Sequence, residues 1–285
     1  MEILGYHLGN VSACQLAALA VILAASGFVS GLSGFGFSAV GATTLWVLPP
    51  QQSIPLMMAL STVNQIASLQ ELRASLRPLR DWWPLGPAPY ILGGLFGLPL
   101  GLWMLRELPA AALCAAVGAV LIAYSGWAVF KPAGLRIRAA APVAGLGVGA
   151  LGGMIGGFTA FPGGAVVIWA GLIGLGKVEQ RTIVQPYILA MQLVALSLLA
   201  LSGSRQADDA FGAQFWALFA CLVPIVLPFT KLGVIVFRKI SDIDFKRVTY
   251  GLLGVSGTSL IVKGGSAILA LGNWIKASAI VLLFP

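Results

Sequence analysis

The residues best suited to bind a ligand lie in two glycine-rich stretches of an otherwise apolar chain. The first reads GLSGFGFSAVG from Gly31 to Gly41, and the second reads GGMIGGFTAFPGG from Gly152 to Gly164. A helix that breaks inside a bilayer leaves backbone N–H groups without partners, and its new N-terminus carries about half a positive charge. The two stretches therefore predict a site for a small oxyanion. The candidate substrate-binding residues are Ser33, Gly34, Phe35, Gly36, Ser38, Gly156, Gly157, Thr159, Pro162, Gly163 and Gly164.

Two glutamines extend this candidate substrate site. Gln65 and Gln192 stand at matching positions after the two stretches, inside apolar segments. Their uncharged amides are able to coordinate oxyanion oxygens and equally able to join helices by hydrogen bonds, so both interpretations stay open. Lys231 also lies inside a long apolar segment, where it either snorkels to the membrane interface or contacts the substrate.

Helix packing is the competing explanation for the glycines. Small residues four positions apart let two membrane helices approach closely. Gly27 and Gly31 have this spacing in the first half of the chain, and Gly149 and Gly153 have it in the second. We predict that these four glycines pack, whereas the denser cores that follow them bind the ligand.

The elements that must position these residues are membrane helices. The chain has 285 residues, of which 59% are hydrophobic and 9% are charged, with a mean hydropathy of +0.95. A soluble domain carries about 25% charged residues, so a soluble enzyme, a nucleic-acid-binding protein and a disordered chain are all excluded. A bilayer is spanned by about 20 apolar residues, and the gaps between charges therefore predict about eight to ten membrane segments. The predicted fold class is an all-α integral membrane protein.

The chain also repeats itself. Gly27, Gly31 and Gly34 align with Gly149, Gly153 and Gly156, and the segment ending at Arg106 aligns with the one ending at Arg238. Each repeat is predicted to hold a glycine-rich pair of arms, forming two short spans or a re-entrant hairpin, followed by about three spans. The arms are placed at 15–30, 38–47, 143–153 and 162–175, and none reaches twenty residues. Residues 1–130 form the first repeat, 139–263 the second and 264–285 an additional C-terminal segment, all within one transmembrane domain.

The basic residues predict how the two repeats are oriented. Cytoplasmic loops of membrane proteins are enriched in Lys and Arg, which here places the N-terminus outside and the start of the second repeat inside. The halves are therefore predicted to be inverted, as in secondary transporters that work by alternating access. Arg106, Arg205 and Lys263 remain outside. The predicted cytoplasmic set is Arg73, Arg77, Arg80, Lys131, Arg136, Arg138, Lys177, Arg181, Arg238, Lys239, Lys246 and Arg247.

Several kinds of chemistry lack the residues that they need. The single histidine, His7, lies in the N-terminal tail, so no acid–base pair is placed in the spans and an enzyme is not predicted. All acidic residues fall in predicted loops or ends, which argues against a carboxylate proton relay. The N-terminal apolar segment is predicted to be an uncleaved anchor. No cofactor, metal site or disulfide is predicted, because the three cysteines, Cys14, Cys114 and Cys221, lie singly in apolar stretches.

The two motifs, GLSGFGFSAVG at Gly31 to Gly41 and GGMIGGFTAFPGG at Gly152 to Gly164, make the chain resemble the sulfite exporter TauE/SafE family of membrane permeases. The resemblance implies two homologous halves and a multi-pass permease of the bacterial inner membrane. It also implies export of sulfite, sulfonate or a related small organosulfur anion. The alternatives are an anion channel and a permease for a non-sulfur organic anion. The expected partners are this small anion and the lipid bilayer, without nucleic acid, and a homodimer is compatible with the sequence.

Overall fold

The computed structural model describes most of the chain up to Phe237. The described residues are 2–3, 6–7, 11–71, 79–84, 86–130, 142–201, 211–237, 239, 254, 257–258, 260–262 and 265. Much of the predicted cytoplasmic loop set and nearly all of the predicted C-terminal segment 264–285 lie outside these residues.

Helices dominate the described part of the chain. A pair of two-residue antiparallel strands, β1 (Glu2–Ile3) and β2 (Tyr6–His7), precedes them. Short 3-10 helices follow α2 at Ala42–Trp46 and precede α4 at Leu79–Trp82. The helices are α1 (Ala13–Ser33), α2 (Phe37–Gly41), α3 (Pro50–Glu71), α4 (Ala88–Glu107), α5 (Ala110–Phe130), α6 (Pro142–Thr159), α7 (Gly163–Leu172), α8 (Lys177–Leu201) and α9 (Ala213–Phe237).

Six of these helices are long and apolar enough to cross a membrane, namely α1, α4, α5, α6, α8 and α9. Large apolar side chains cover the outside of the bundle. Phe96, for example, is 83% exposed and Leu201 is 82% exposed, as expected where lipid is the solvent. The prediction of an all-α integral membrane protein is confirmed. Two of the predicted apolar segments, 248–262 and 264–285, fall beyond Phe237 and mostly outside the described residues.

Glycines determine which helices pack together. The most extensive contacts join α4 to α6 and α1 to α9. A Cβ atom built on Gly27 or Gly31 would collide with the backbone of α9, and one built on Gly149 or Gly153 would collide with the backbone of α4. Because only glycine permits these approaches, the predicted packing role of the four glycines is confirmed.

The first arm of each glycine-rich pair is longer than the sequence indicates. Helix α1 has 21 residues and α6 has 18, so the prediction that no arm reaches twenty residues is wrong for α1. Glycine lowers intrinsic helix propensity, but close packing against α9 and α4 stabilises these helices through their glycines. The second arms are short, as predicted. Helix α2 has 5 residues before its 3-10 extension, and α7 has 10.

Candidate functional site

Helix α1 ends in a break that a serine hydroxyl closes. Gly34 follows the helix with a φ of +82°, in the left-handed region that favours glycine. The Ser33 hydroxyl donates to Val29 O over 2.8 Å. The same oxygen accepts the N–H of Gly36 over 2.9 Å and that of Phe35 over 3.3 Å. Two backbone groups that the break exposes are therefore satisfied locally, within one turn.

Helix α6 ends in a break with the same hydrogen bonds. The Thr159 hydroxyl donates to Ile155 O over 2.7 Å and accepts the N–H of Phe161 over 3.0 Å. Ala160 follows the helix with a φ of +58°, and its N–H donates to Gly156 O over 2.9 Å. An alanine in the left-handed region is strained relative to glycine, because its Cβ approaches the following carbonyl.

These shared hydrogen bonds correct the sequence-based alignment of the two halves. Gly34 is equivalent to Ala160, since each is the left-handed residue after its helix. The alignment of Gly34 with Gly156 is wrong, and the same shift of four residues pairs Gly27 with Gly153 and Gly31 with Gly157. Ser30 O accepts the N–H of Gly34 in the first half, and Gly156 O accepts the N–H of Ala160 in the second. Gly156 is therefore equivalent to Ser30. The alignment matched glycine with glycine. It missed this equivalence because the second break has an alanine where the first has a glycine.

The two breaks lie against one another. A Cβ atom built on Gly163, at the start of α7, would lie 3.5 Å from the Cβ of Phe35. The Phe35 ring meets the Tyr124 ring edge to face with 6.1 Å between centroids, and Tyr124 meets Phe161 in the same way at 5.8 Å. All three rings are buried. The residues that directly follow the two breaks therefore converge on a single tyrosine of α5.

A buried arginine lies beside the first break. Arg181, in the second turn of α8, is only 6% exposed. Its Nη2 donates to Gly31 O over 2.6 Å and to Leu32 O over 3.3 Å, at the C-terminal end of α1, where the helix dipole favours a cation. Its Cζ lies 4.0 Å from the centroid of the Phe237 ring, within cation–π range. These contacts hold one nitrogen of the guanidinium and one face of its plane.

The Nε of this guanidinium and the amides of two glutamines lie next to Gly34. A Cβ atom on Gly34 would lie 2.7 Å from Arg181 Nε and 3.2 Å from Gln185 Nε2. Gln65, on α3, donates from Nε2 to Gly34 O over 3.2 Å. We call these four residues, Gly34, Gln65, Arg181 and Gln185, the Arg181 cluster.

Most side-chain polar atoms of the Arg181 cluster have no partner among the described residues. Buried there without a hydrogen bond are Arg181 Nε and Nη1, both amide atoms of Gln185 and Gln65 Oε1. Within the described part of the chain, the contacts of the guanidinium are carbonyl oxygens and an aromatic ring, not a carboxylate. Buried polar groups in proteins are satisfied by protein, water or ligand. The unused N–H groups of Arg181 are donors of the kind that a small oxyanion accepts.

A second polar group joins three helices next to this cluster. Asn64 Nδ2 donates to Ser30 Oγ over 2.6 Å, and Thr230 Oγ1 donates to Asn64 Oδ1 over 2.6 Å, which ties α3 to α1 and α9. Gln192 Nε2 lies 2.8 Å from Ser61 Oγ and joins α8 to α3, while no described residue bonds Gln192 Oε1. One amide end of Gln192 is thus used in packing and the other is not.

Arg181 was missed by the sequence analysis, which placed it in a cytoplasmic loop. That placement is wrong, because Arg181 lies within α8 and is buried. A signal for it exists in the sequence. Arg181, Gln185 and Gln192 are spaced by four and then seven residues, which puts them on one face of a helix. A polar face that includes an arginine inside an apolar helix indicates a functional site.

The structure separates the predicted site residues into three groups, besides Gln192, which joins α8 to α3 through Ser61. Gly34 and Gln65 belong to the Arg181 cluster, and Phe35 and Gly36 directly follow Gly34. The hydroxyl hydrogens of Ser33 and Thr159 are engaged by carbonyls of their own helices, and Lys231 lies on an exposed part of α9. The remaining predicted residues are buried at or near the ends of α2, α6 and α7: Ser38, Gly156, Gly157, Pro162, Gly163 and Gly164.

Six apolar helices that are long enough to cross a bilayer define a multi-pass membrane protein, and its described residues include a buried guanidinium whose Nε and Nη1 have no hydrogen-bond partner among them. The family model described as Sulfite exporter TauE/SafE matches residues 18–260 of the chain. The chain therefore belongs to the sulfite exporter TauE/SafE family, whose members are membrane transporters. A comparison with individually curated proteins gives no match.

Proposed function

We propose that this protein is a secondary transporter that exports sulfite, sulfonate or a related small organosulfur anion across the bacterial inner membrane. The anion binds at the Arg181 cluster. One observation carries the proposal: a guanidinium that is buried beside a broken helix keeps N–H groups on Nε and Nη1 that no described residue accepts.

Electrostatics favours an anion at this position. Arginine stays protonated in proteins, and a buried charge without a counterion costs several kcal/mol. The carbonyls of Gly31 and Leu32 supply partial negative charge but not a full one. A bound oxyanion supplies the missing charge and accepts the unused N–H groups. Gly34 lets the guanidinium approach the break closely, because a Cβ atom there would lie only 2.7 Å from Arg181 Nε.

The packing of the helices supports a mechanism of alternating access between two inverted repeats, residues 1–130 and 139–263. Helix α1 of the first repeat packs on α9 of the second, and α6 of the second packs on α4 of the first. Gly233 of α9 meets Phe28 O and Gly31 Cα, and Gly101 of α4 meets Met154 O and Gly157 Cα in the equivalent way. Each repeat thus packs its first glycine-rich helix on a helix of the other repeat. This arrangement fits two similar halves that rock against one another around a central site.

The direction of transport follows from the membrane potential. An inside-negative potential favours the exit of an anion by about 2.3 kcal/mol per charge per 100 mV. Export of a small anion therefore needs no second ion, and no carboxylate relay in the spans is required for it.

Proteoliposomes with labelled sulfite test this function. Wild-type protein is expected to catalyse saturable uptake and counterflow, and Arg181→Gln is expected to lower the flux at least tenfold because it removes the charge. Arg181→Lys should retain part of the flux, since it keeps the charge but not the planar geometry. Arg106→Gln serves as the matched control, because this arginine lies half-buried in the last turn of α4 and outside the cluster.

Two outcomes would contradict the proposal. Normal flux in a folded Arg181→Gln variant would place the anion elsewhere. Unitary currents without counterflow would instead indicate an anion channel. Folding of each variant is checked by size-exclusion chromatography and thermal unfolding in detergent.

A further inference from the structure

The charge that the described residues offer to a bound anion is a single positive one. Of the charged side chains that the structure describes, Arg181 alone is buried. The other members of its cluster, Gln65 and Gln185, are neutral amides that are each 1% exposed. A ligand bound in this cluster therefore meets one full positive charge, in surroundings from which water is largely excluded.

The orientation of one amide limits the positive potential further. Gln65 Nε2 donates to Gly34 O, which as a carbonyl oxygen only accepts, so the assignment of nitrogen and oxygen in this amide is fixed. Gln65 Oε1 is then the buried atom that finds no partner in the described part of the chain. An acceptor oxygen adds negative rather than positive potential to the cluster.

We infer that the Arg181 cluster selects singly charged oxyanions, such as a sulfonate or hydrogensulfite, over doubly charged ones of similar size, such as sulfate. A singly charged anion neutralises Arg181. A doubly charged anion leaves one negative charge uncompensated among neutral amides and carbonyl oxygens, and an unpaired buried charge costs several kcal/mol. This inference rests on the proposed function of the cluster and specifies the charge of the ion that it carries.

Competition on the intact protein tests the charge selectivity. Flux of labelled sulfite into proteoliposomes is measured with unlabelled methanesulfonate or sulfate as competitor at equal concentration and ionic strength. Methanesulfonate is singly charged and sulfate doubly charged throughout the working pH range. Methanesulfonate is expected to compete at least tenfold more strongly, which corresponds to about 1.4 kcal/mol in binding free energy.

The pH dependence of transport provides a second readout. At constant total sulfite, the flux should fall as the pH rises, in parallel with the fraction of hydrogensulfite. Direct flux of labelled methanesulfonate should stay constant over the same range. It therefore controls for effects of pH on the protein itself.

A variant with a second positive charge should change the selectivity. Gln185→Lys adds a cation within the cluster and is expected to raise competition by sulfate relative to methanesulfonate at least tenfold. Gln180→Lys is the matched control, since Gln180 lies on the same helix, is half-buried and is not part of the cluster. The wild-type comparison decides the inference even where a variant does not fold.

The failure of this inference is distinguishable from the failure of the proposed function. Equal competition by sulfate and methanesulfonate, together with loss of flux in Arg181→Gln, would overturn the charge selectivity and leave the anion site in place. Unchanged sulfite flux in a folded Arg181→Gln variant would overturn both.

Discussion

The Ser33 and Thr159 hydroxyls occupy equivalent positions at the ends of α1 and α6. Each donates to the carbonyl four residues earlier, over 2.8 Å and 2.7 Å respectively, and each accepts the backbone N–H two residues later. Each is followed by a residue in the left-handed region, Gly34 in one half and Ala160 in the other. The same local device therefore ends both helices, although the residues at the left-handed positions differ.

This difference predicts opposite effects of exchanging glycine and alanine at the two breaks. Gly34→Ala forces an alanine to a φ of +82° and places its Cβ 2.7 Å from Arg181 Nε. We expect a loss of about 1–2 kcal/mol in the free energy of unfolding from the backbone strain alone. Transport should fall at least tenfold, because the new methyl group displaces the guanidinium.

Gly147→Ala is the matched control for this variant. Gly147 lies within α6, and nothing lies within 4 Å of a Cβ built on it. Its flux should equal that of the wild type. Wild-type flux in Gly34→Ala as well would show that the space beside Arg181 is not used by the anion.

Ala160→Gly should stabilise the protein. Glycine adopts a φ of +58° without the steric conflict that alanine has there, which outweighs the greater conformational freedom of the unfolded glycine chain. We expect the free energy of unfolding to rise by up to about 1 kcal/mol. Thermal unfolding in detergent measures this change, and a clear fall in Tm would mean that Ala160 is not strained.

The membrane class of the protein was predictable from the sequence, whereas the charged centre of the site was not. Gaps between charges are a local property of the sequence and correctly predicted the membrane class, and glycine at a four-residue spacing correctly predicted helix packing. The burial of Arg181 depends instead on carbonyls of α1 that are about 150 residues away in the chain. An arginine near the start of an apolar segment has the same local pattern as a loop residue. Only its spacing from Gln185 distinguishes it.

Thr230→Val should destabilise the contact between α1, α3 and α9. The substitution is close to isosteric, but it removes the hydroxyl that donates to Asn64 Oδ1 over 2.6 Å. A buried acceptor left without its donor costs about 1–3 kcal/mol, so we expect a lower Tm by thermal unfolding.

Ser197→Ala is the control for the loss of a hydroxyl. Ser197 is exposed, and within the described residues its hydroxyl bonds Leu193 O, four residues earlier on its own helix α8. We expect no change in Tm beyond the error of the measurement. If both variants lowered the Tm equally, the hydrogen bond to Asn64 would contribute nothing to stability beyond the loss of any hydroxyl.

Gly233→Ala and Gly101→Ala should have matching effects, because the two glycines hold equivalent helix pairs together. An added Cβ on Gly233 would overlap Phe28 O of α1, and one on Gly101 would overlap Met154 O of α6. Each overlap forces the two backbones apart, and overpacking of this kind costs about 1–3 kcal/mol. We expect similar falls in Tm and in transport for the two variants, and additive losses in the double variant if the two contacts are independent.

Gly126→Ala on α5 is the control for these variants. Nothing lies within 4 Å of its added Cβ, so both Tm and transport should stay unchanged. A large effect of one substitution with none of the other would contradict the equivalence of the α1–α9 and α4–α6 pairs, on which the proposal of two rocking repeats depends.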